Sequence, residues 1–74
     1  MLKLFEIQKA RPKDKAYKLS DGFGLHLLIK TSGRKLWRFR YQFDGKEKMI
    51  SFGSFPEVSL IEARSERDEA RKLL

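Results

Sequence analysis

KLWRFRYQFDGKEKMISFG, residues 35–53, decides the fold of this chain. Trp37, Phe39, Tyr41 and Phe43 share one parity, and Leu36, Arg38, Arg40 and Gln42 share the other. Strand side chains alternate between faces, so one face is built for burial and the other for contact. Asp44-Gly45 is a preferred two-residue hairpin turn. It pairs Phe43 with Lys46, Tyr41 with Lys48, Phe39 with Ile50 and Trp37 with Phe52. On the other face Gln42 meets Glu47, Arg40 meets Met49 and Arg38 meets Ser51. The aromatic face is apolar along most of this ladder and cationic near its tip.

Working towards the N-terminus, residues 25–30 alternate again, with Leu25, Leu27 and Ile29 opposed to His26, Leu28 and Lys30. Thr31-Ser32-Gly33 suits a three-residue hairpin loop with Gly33 in the left-handed region. That loop sets Lys30 against Arg34, Leu27 against Trp37 and Leu25 against Phe39. A slip of one residue would set Leu27 against Arg38 and mix the faces. Tyr17–Ser20 is a candidate short extra strand, closed by Asp21-Gly22. Gly22 and Gly24 bracket Phe23, which predicts unusual backbone angles there. Residues 1–16 read as a turn and loop. Leu4, Ile7 and Ala10 can line a short helical turn, which Pro12 stops.

Towards the C-terminus, Gly53-Ser54-Phe55-Pro56 ends the sheet. Ser59-Leu60-Ile61-Glu62 is a capping box, predicting a helix from about Leu60 to the end. Leu60, Ala63, Ala70 and Leu74 fall on one stripe, with the alkyl stem of Arg67 filling the gap. The helix has a start signal and no stop signal, so the chain reads as a fragment of a longer protein. The predicted class is α+β: a three-stranded antiparallel meander over residues 17–53, with the extra N-terminal strand beside it, packed on one C-terminal helix over 59–74.

Seventy-four residues allow one small domain and one modest core. There is no cysteine, which excludes disulfides and thiolate metal sites. No apolar run approaches the roughly 20 residues of a membrane span, and the N-terminus has no signal-peptide pattern. The reading is a cytoplasmic protein without membrane contact. The net charge is +7. Residues 59–74 hold four basic and four acidic groups, so the whole excess lies in residues 1–58. Such a footprint points to a polyanion.

His26, Lys30, Arg38, Arg40 and Gln42 share the face opposite the aromatics. Cross-strand neighbours lie about 5 Å apart. Arginine can read guanine and glutamine adenine, and a β-ribbon fits the major groove of DNA. A solvated sheet face with incidental arginines is the plainer alternative, but neither Arg38 nor Arg40 has an acid directly opposite. Arg34 and Lys35 at the first hairpin, and Lys46 and Lys48 at the second, suit phosphate clamps that fix register without reading sequence. Trp37, Phe39 and Tyr41 are read as core and not as a base-stacking platform, since so small a domain needs them inside. A single histidine supports neither catalysis nor a metal site, and no phosphate-binding glycine loop is present, so no catalytic residue and no cofactor is expected.

Leu19-Ser20-Asp21-Gly22, Lys35-Leu36-Trp37-Arg38-Phe39-Arg40-Tyr41, Gly53-x-Phe55-Pro56 and Ser59-Leu60-x-x-Ala63-Arg64 together resemble the N-terminal arm-type DNA-binding domain of prophage tyrosine integrases, from about Ile7 to Leu74. The resemblance implies a three-stranded sheet on a C-terminal helix, laid in the major groove of arm-type sites that flank the recombination core. It implies that core-binding and catalytic domains follow, so the strand-cleaving chemistry lies outside this chain, and that double-stranded DNA and other integrase protomers are the partners, in a bacterial, nucleoid-associated setting. Carried to this sequence, the binding residues are Arg38, Arg40 and Gln42 on the central strand, with His26, Lys30 and Lys48 as secondary candidates. The chain departs from the family at Ala16, where proline is expected, at Phe23, where glycine is frequent, and at His26, where Tyr or Leu is common. Lys3-Leu4-Phe5 lacks the family's Thr-Asp helix cap, which counts against a first helix. Two other readings are a double-stranded RNA module, since the βββα order is similar, and a protein-interaction domain using Leu28, Leu36 and Met49.

Overall fold

The computed structural model describes residues 1–74. Its elements are α1 (Leu4–Lys9), β1 (Tyr17–Gly22), β2 (Leu25–Ile29), β3 (Lys35–Phe43), β4 (Lys46–Phe55) and α2 (Leu60–Lys72). The strands form one antiparallel sheet in the order β1-β2-β3-β4. The expected three-stranded meander is therefore four-stranded. β1 is a full member, pairing with β2 from Tyr17 opposite Ile29 to Gly22 opposite Leu25.

The turns follow from local chemistry. Asp44 and Gly45 both have positive φ, 54° and 76°, as a two-residue hairpin turn that continues the strand twist requires. At the β1–β2 turn Phe23 also lies at positive φ, between Gly22 and Gly24. Gly24 is obligatory for a further reason, since a Cβ there would run into the Arg40 carbonyl oxygen. The Gly24 carbonyl accepts from the Arg40 amide at 2.9 Å, which carries the ladder past the end of β2.

Leu27 opposite Trp37 and Leu25 opposite Phe39 form as read, as do the pairs from Arg38–Ser51 to Phe43–Lys46. Trp37, however, faces Gly53 and not Phe52, because the register shifts between Trp37 and Arg38. A bulge inserts one residue into a strand and changes which side chains share a face. Phe52 then stacks on Phe39 at 5.9 Å between centroids, and Phe55 meets Trp37 edge-on at 6.5 Å. Strict alternation could not have put both Phe52 and Phe55 on the core side. The sheet consequently runs to Phe55, two residues beyond the expected end.

Both helices cover the aromatic side. Leu2, Ile7, Leu25, Leu27, Ile29, Trp37, Leu60 and Ala63 make one buried cluster. Trp37 Nε1 donates to the Val58 carbonyl at 2.8 Å, which satisfies the indole while its ring is fully buried. The N-terminal segment is a helix and not merely a turn and loop. Ile7 is its buried residue, Leu2 before it is also in the core and Ala10 after it packs against the core, while Leu4 is exposed. In place of a Thr-Asp cap, Glu6 reaches back to the Lys3 amide at 3.2 Å, and Lys35 Nζ donates to the Ile7 carbonyl at 2.7 Å.

Helix α2 starts at the Ser59–Glu62 capping box, closed by bonds of 3.1 and 3.2 Å. Its buried residues are Leu60, Ala63 and Arg67, so Arg67 does occupy the stripe, whereas Leu74 is exposed. The guanidinium of Arg67 has a second task. It donates to Asp21 at 3.0 Å, while Arg64 grips both Asp21 oxygens at 2.8 and 3.0 Å. Asp21 also accepts from the Leu2 amide at 2.9 Å, and Arg64 donates to the Leu2 carbonyl at 2.7 Å. One fully buried carboxylate thus ties together the N-terminus, β1 and α2. Burial alone pushes its pKa up, but the Arg64 bond, the Leu2 amide and the charges of Arg64 and Arg67 hold it below the ordinary aspartate value.

Candidate nucleic-acid interface

Because both helices pack on one side of the sheet, the other side carries no covering layer. Register places its side chains in rows. Lys18, Leu28, Leu36 and Ser54 lie across all four strands, then Ser20, His26, Arg38 and Ser51. Towards the tip Arg40 lies beside Met49, and Gln42 beside Glu47. Side chains two apart on one strand are separated by about 6.6–6.8 Å, so Arg38, Arg40 and Gln42 form a line along β3.

Arg40 and Gln42 are exposed and Arg38 is half-buried. Arg38 touches no carboxylate; its Nη1 lies 3.9 Å from Met49 Sδ. Arg40 is held by Glu47 diagonally, at 3.4 Å, with both side chains more than half exposed. A pair that exposed is worth about 0.2–1 kcal/mol and exchanges readily for another anion. Apart from Glu47 the rows contain no acid, so the face is cationic on balance.

His26 lies in this face but is only 4% exposed, because its neighbours on β1 and β3 close over it. Its Nε2 has no hydrogen-bond partner. Burial first, then the charges of Lys18, Arg40 and Arg38, hold its pKa below the ordinary histidine value, against a raising contribution from the Gly24 backbone. The imidazole is therefore neutral near pH 7, and it is not the open contact residue the alternation suggested.

The other sequence-derived candidates are dispersed. Lys30, half-buried, follows β2, where its amide donates to the Arg34 carbonyl at 2.8 Å. Arg34 is exposed, facing Lys30 across the same loop. Lys35 lies on the core side, bonded to Ile7 and 5.8 Å from the Phe55 ring centroid. Lys46 and Lys48 are exposed but pair with Phe43 and Tyr41, on the aromatic parity of the second hairpin. Lys18 and Ser20 are the residues that sequence reading missed. Once Tyr17 and Leu19 point to the core, alternation alone puts these two on the outer face.

A family model, the arm DNA-binding domain, matches residues 2–74. The chain belongs to the arm DNA-binding domain family. It is 47% identical over 72 residues to the integrase of Shigella phage Sf6, covering 97% of this chain and 19% of that protein. It is 52% identical over 71 residues to prophage integrase IntA of Escherichia coli strain K12, covering 93% of this chain and 17% of that one. The arm domain thus spans about a fifth of the length of these relatives, which are named as integrases. No helix of the arm domain is long and apolar enough to cross a membrane.

Proposed function

We propose that this arm domain binds double-stranded DNA by laying the uncovered face of its sheet in the major groove, at arm-type sites that flank a recombination core. The observation that carries the reading is the line of Arg38, Arg40 and Gln42 along β3, on the only sheet face that neither helix covers. Arg38 and Arg40 can each present a guanidinium to a guanine edge or a phosphate, and Gln42 an amide to adenine. Lys30 and Arg34, with Lys46 and Lys48 at the other hairpin, stand at the ends of the strands, where phosphate contacts would set the register. On this reading residues 1–74 are the single arm-binding unit of a longer tyrosine recombinase, and the catalytic tyrosine lies outside them. Its work would be phage integration and excision, in the bacterial cytoplasm.

The test is fluorescence anisotropy with a duplex from the flanks of the cognate attachment site, across a salt series. Five neutralised phosphates give a slope of log K on log salt of about −4.5. A scrambled duplex should bind with a similar slope and lower affinity. Equal affinity for every duplex would remove the sequence-reading part of the proposal. Preference for a matched A-form RNA would replace it with the RNA reading.

A further inference from the structure

Beside the β1–β2 turn the outer face sinks into a recess of about 200 Å³. Lys18, Ser20, His26 and Arg40 supply its polar wall, and the backbone of Gly22 and Gly24 its rim. No carboxylate lines it. The buried Nε2 of His26 is the one buried side-chain polar atom in the whole chain without a partner. Buried polar groups are almost always paired, and an orphan behind a cationic recess can be paired by a ligand that enters it. The charged groups facing the imidazole are Lys18 on β1 and Arg38 and Arg40 on β3. All are cations, so the free protein disfavours a further positive charge there. An anion in the recess reverses that balance.

We propose that this recess seats one backbone phosphate of the bound duplex, that the side chains closing over His26 part as the phosphate enters, and that His26 then takes up a proton from solvent and donates its Nε2–H to a phosphate oxygen. This rests on the sheet-face reading and adds two things to it: a phosphate anchor at the β1–β2 end of the face, and a proton taken up with each duplex bound. The recess places Lys18 and Ser20 in the interface. It also gives the burial of His26 a use, because a group already paired could not respond to the phosphate. A phosphate carries no sequence, so cognate and unrelated duplexes should take up the proton alike.

The experiment follows the His26 ring signals of the labelled chain by NMR across pH 5–8, free and saturated with duplex, and measures Kd over the same range. Expected are a higher midpoint for His26 in the complex than in the free chain, and a Kd that rises with pH between the two midpoints, by up to about tenfold per pH unit. His26→Gln should abolish that pH dependence. Lys18→Gln, a surface change that leaves the core untouched, should lower the magnitude of the salt slope by about 0.9, one phosphate contact. An unchanged His26 titration in the complex, with Arg38 and Arg40 signals shifted, would overturn the phosphate seat and leave the sheet-face reading standing. Proton uptake with one sequence alone would overturn it in favour of a base edge. No shift anywhere on the outer face would overturn both.

Discussion

Asp21→Asn is the substitution with the largest effect for the smallest change in shape. The carboxylate is fully buried and accepts four hydrogen bonds, from the Leu2 amide, from Arg64 twice and from Arg67. Asparagine turns one acceptor oxygen into an amide donor that faces guanidinium N–H groups, and it leaves Arg67, whose side chain is 6% exposed, without its buried counter-charge. Breaking a buried pair by removing one partner costs about 3–5 kcal/mol. A chain of this length has a total stability of roughly 4–11 kcal/mol, so the variant loses a large part of it. The midpoint of thermal unfolding should fall by at least about 12 °C. The assay is urea unfolding followed by far-UV circular dichroism and by Trp37, the chain's one tryptophan, with the two transitions coincident and the slope on urea unchanged. Combining Asp21→Asn with Arg67→Met should recover part of the loss, because the buried guanidinium, left with only the exposed Asp68 at 3.0 Å, is removed as well. A loss below about 1 kcal/mol for Asp21→Asn alone would refute the argument, since the network would then behave as an exposed one.

Other outcomes follow from the same geometry. Arg38→Ala and Arg40→Ala should each weaken duplex binding by about 1–3 kcal/mol if the side chain reads a base, and Glu47→Gln should tighten it by freeing Arg40, all measurable by anisotropy. Gly24→Ala should cost more than about 1 kcal/mol in urea unfolding, because φ is 90° and the new methyl meets the Arg40 carbonyl. The pH dependence of stability has two parts. His26 titrates below its unfolded value in the folded chain, so the unfolded chain protonates first and stability falls as pH drops below about 6.5; His26→Gln should flatten that limb. Asp21 also titrates below its unfolded value, so its contribution is full above about pH 3.9 and is lost as pH falls through the folded value. Both limbs are read from thermal unfolding across pH.

Asp44-Gly45 and the parity of β3 were enough to write the second hairpin's register from Arg38 to Phe43, because a two-residue turn leaves no freedom in pairing. Beyond Arg38 that logic ended, since a bulge is a local departure from alternation. Its trace in the sequence is Gly53 beside two phenylalanines three residues apart, Phe52 and Phe55. β1 was legible as a short extra strand but not as a full member of the sheet, and Lys18 and Ser20 were lost from the candidate face with it. Helix α1 lacked a polar cap because its ends are held by Glu6 and by Lys35 from a distant strand. Arg64 and Arg67 lie three apart on one helix, so they share a face, yet nothing local names Asp21 as their common acceptor. In the candidate interface, alternation correctly put Arg38, Arg40, Gln42 and His26 on one face. It could not show that His26 is buried there, which depends on the side chains of two neighbouring strands.

The central claim is that DNA is met by the uncovered sheet face. It is tested most directly by mapping backbone and side-chain NMR shifts of the labelled chain as cognate duplex is added. The largest changes should fall on Lys18, Arg38, Arg40, Gln42 and Met49 and weaken as salt is raised. Changes confined to α2 and to Lys46 and Lys48, with the β3 arginines unmoved, would contradict it.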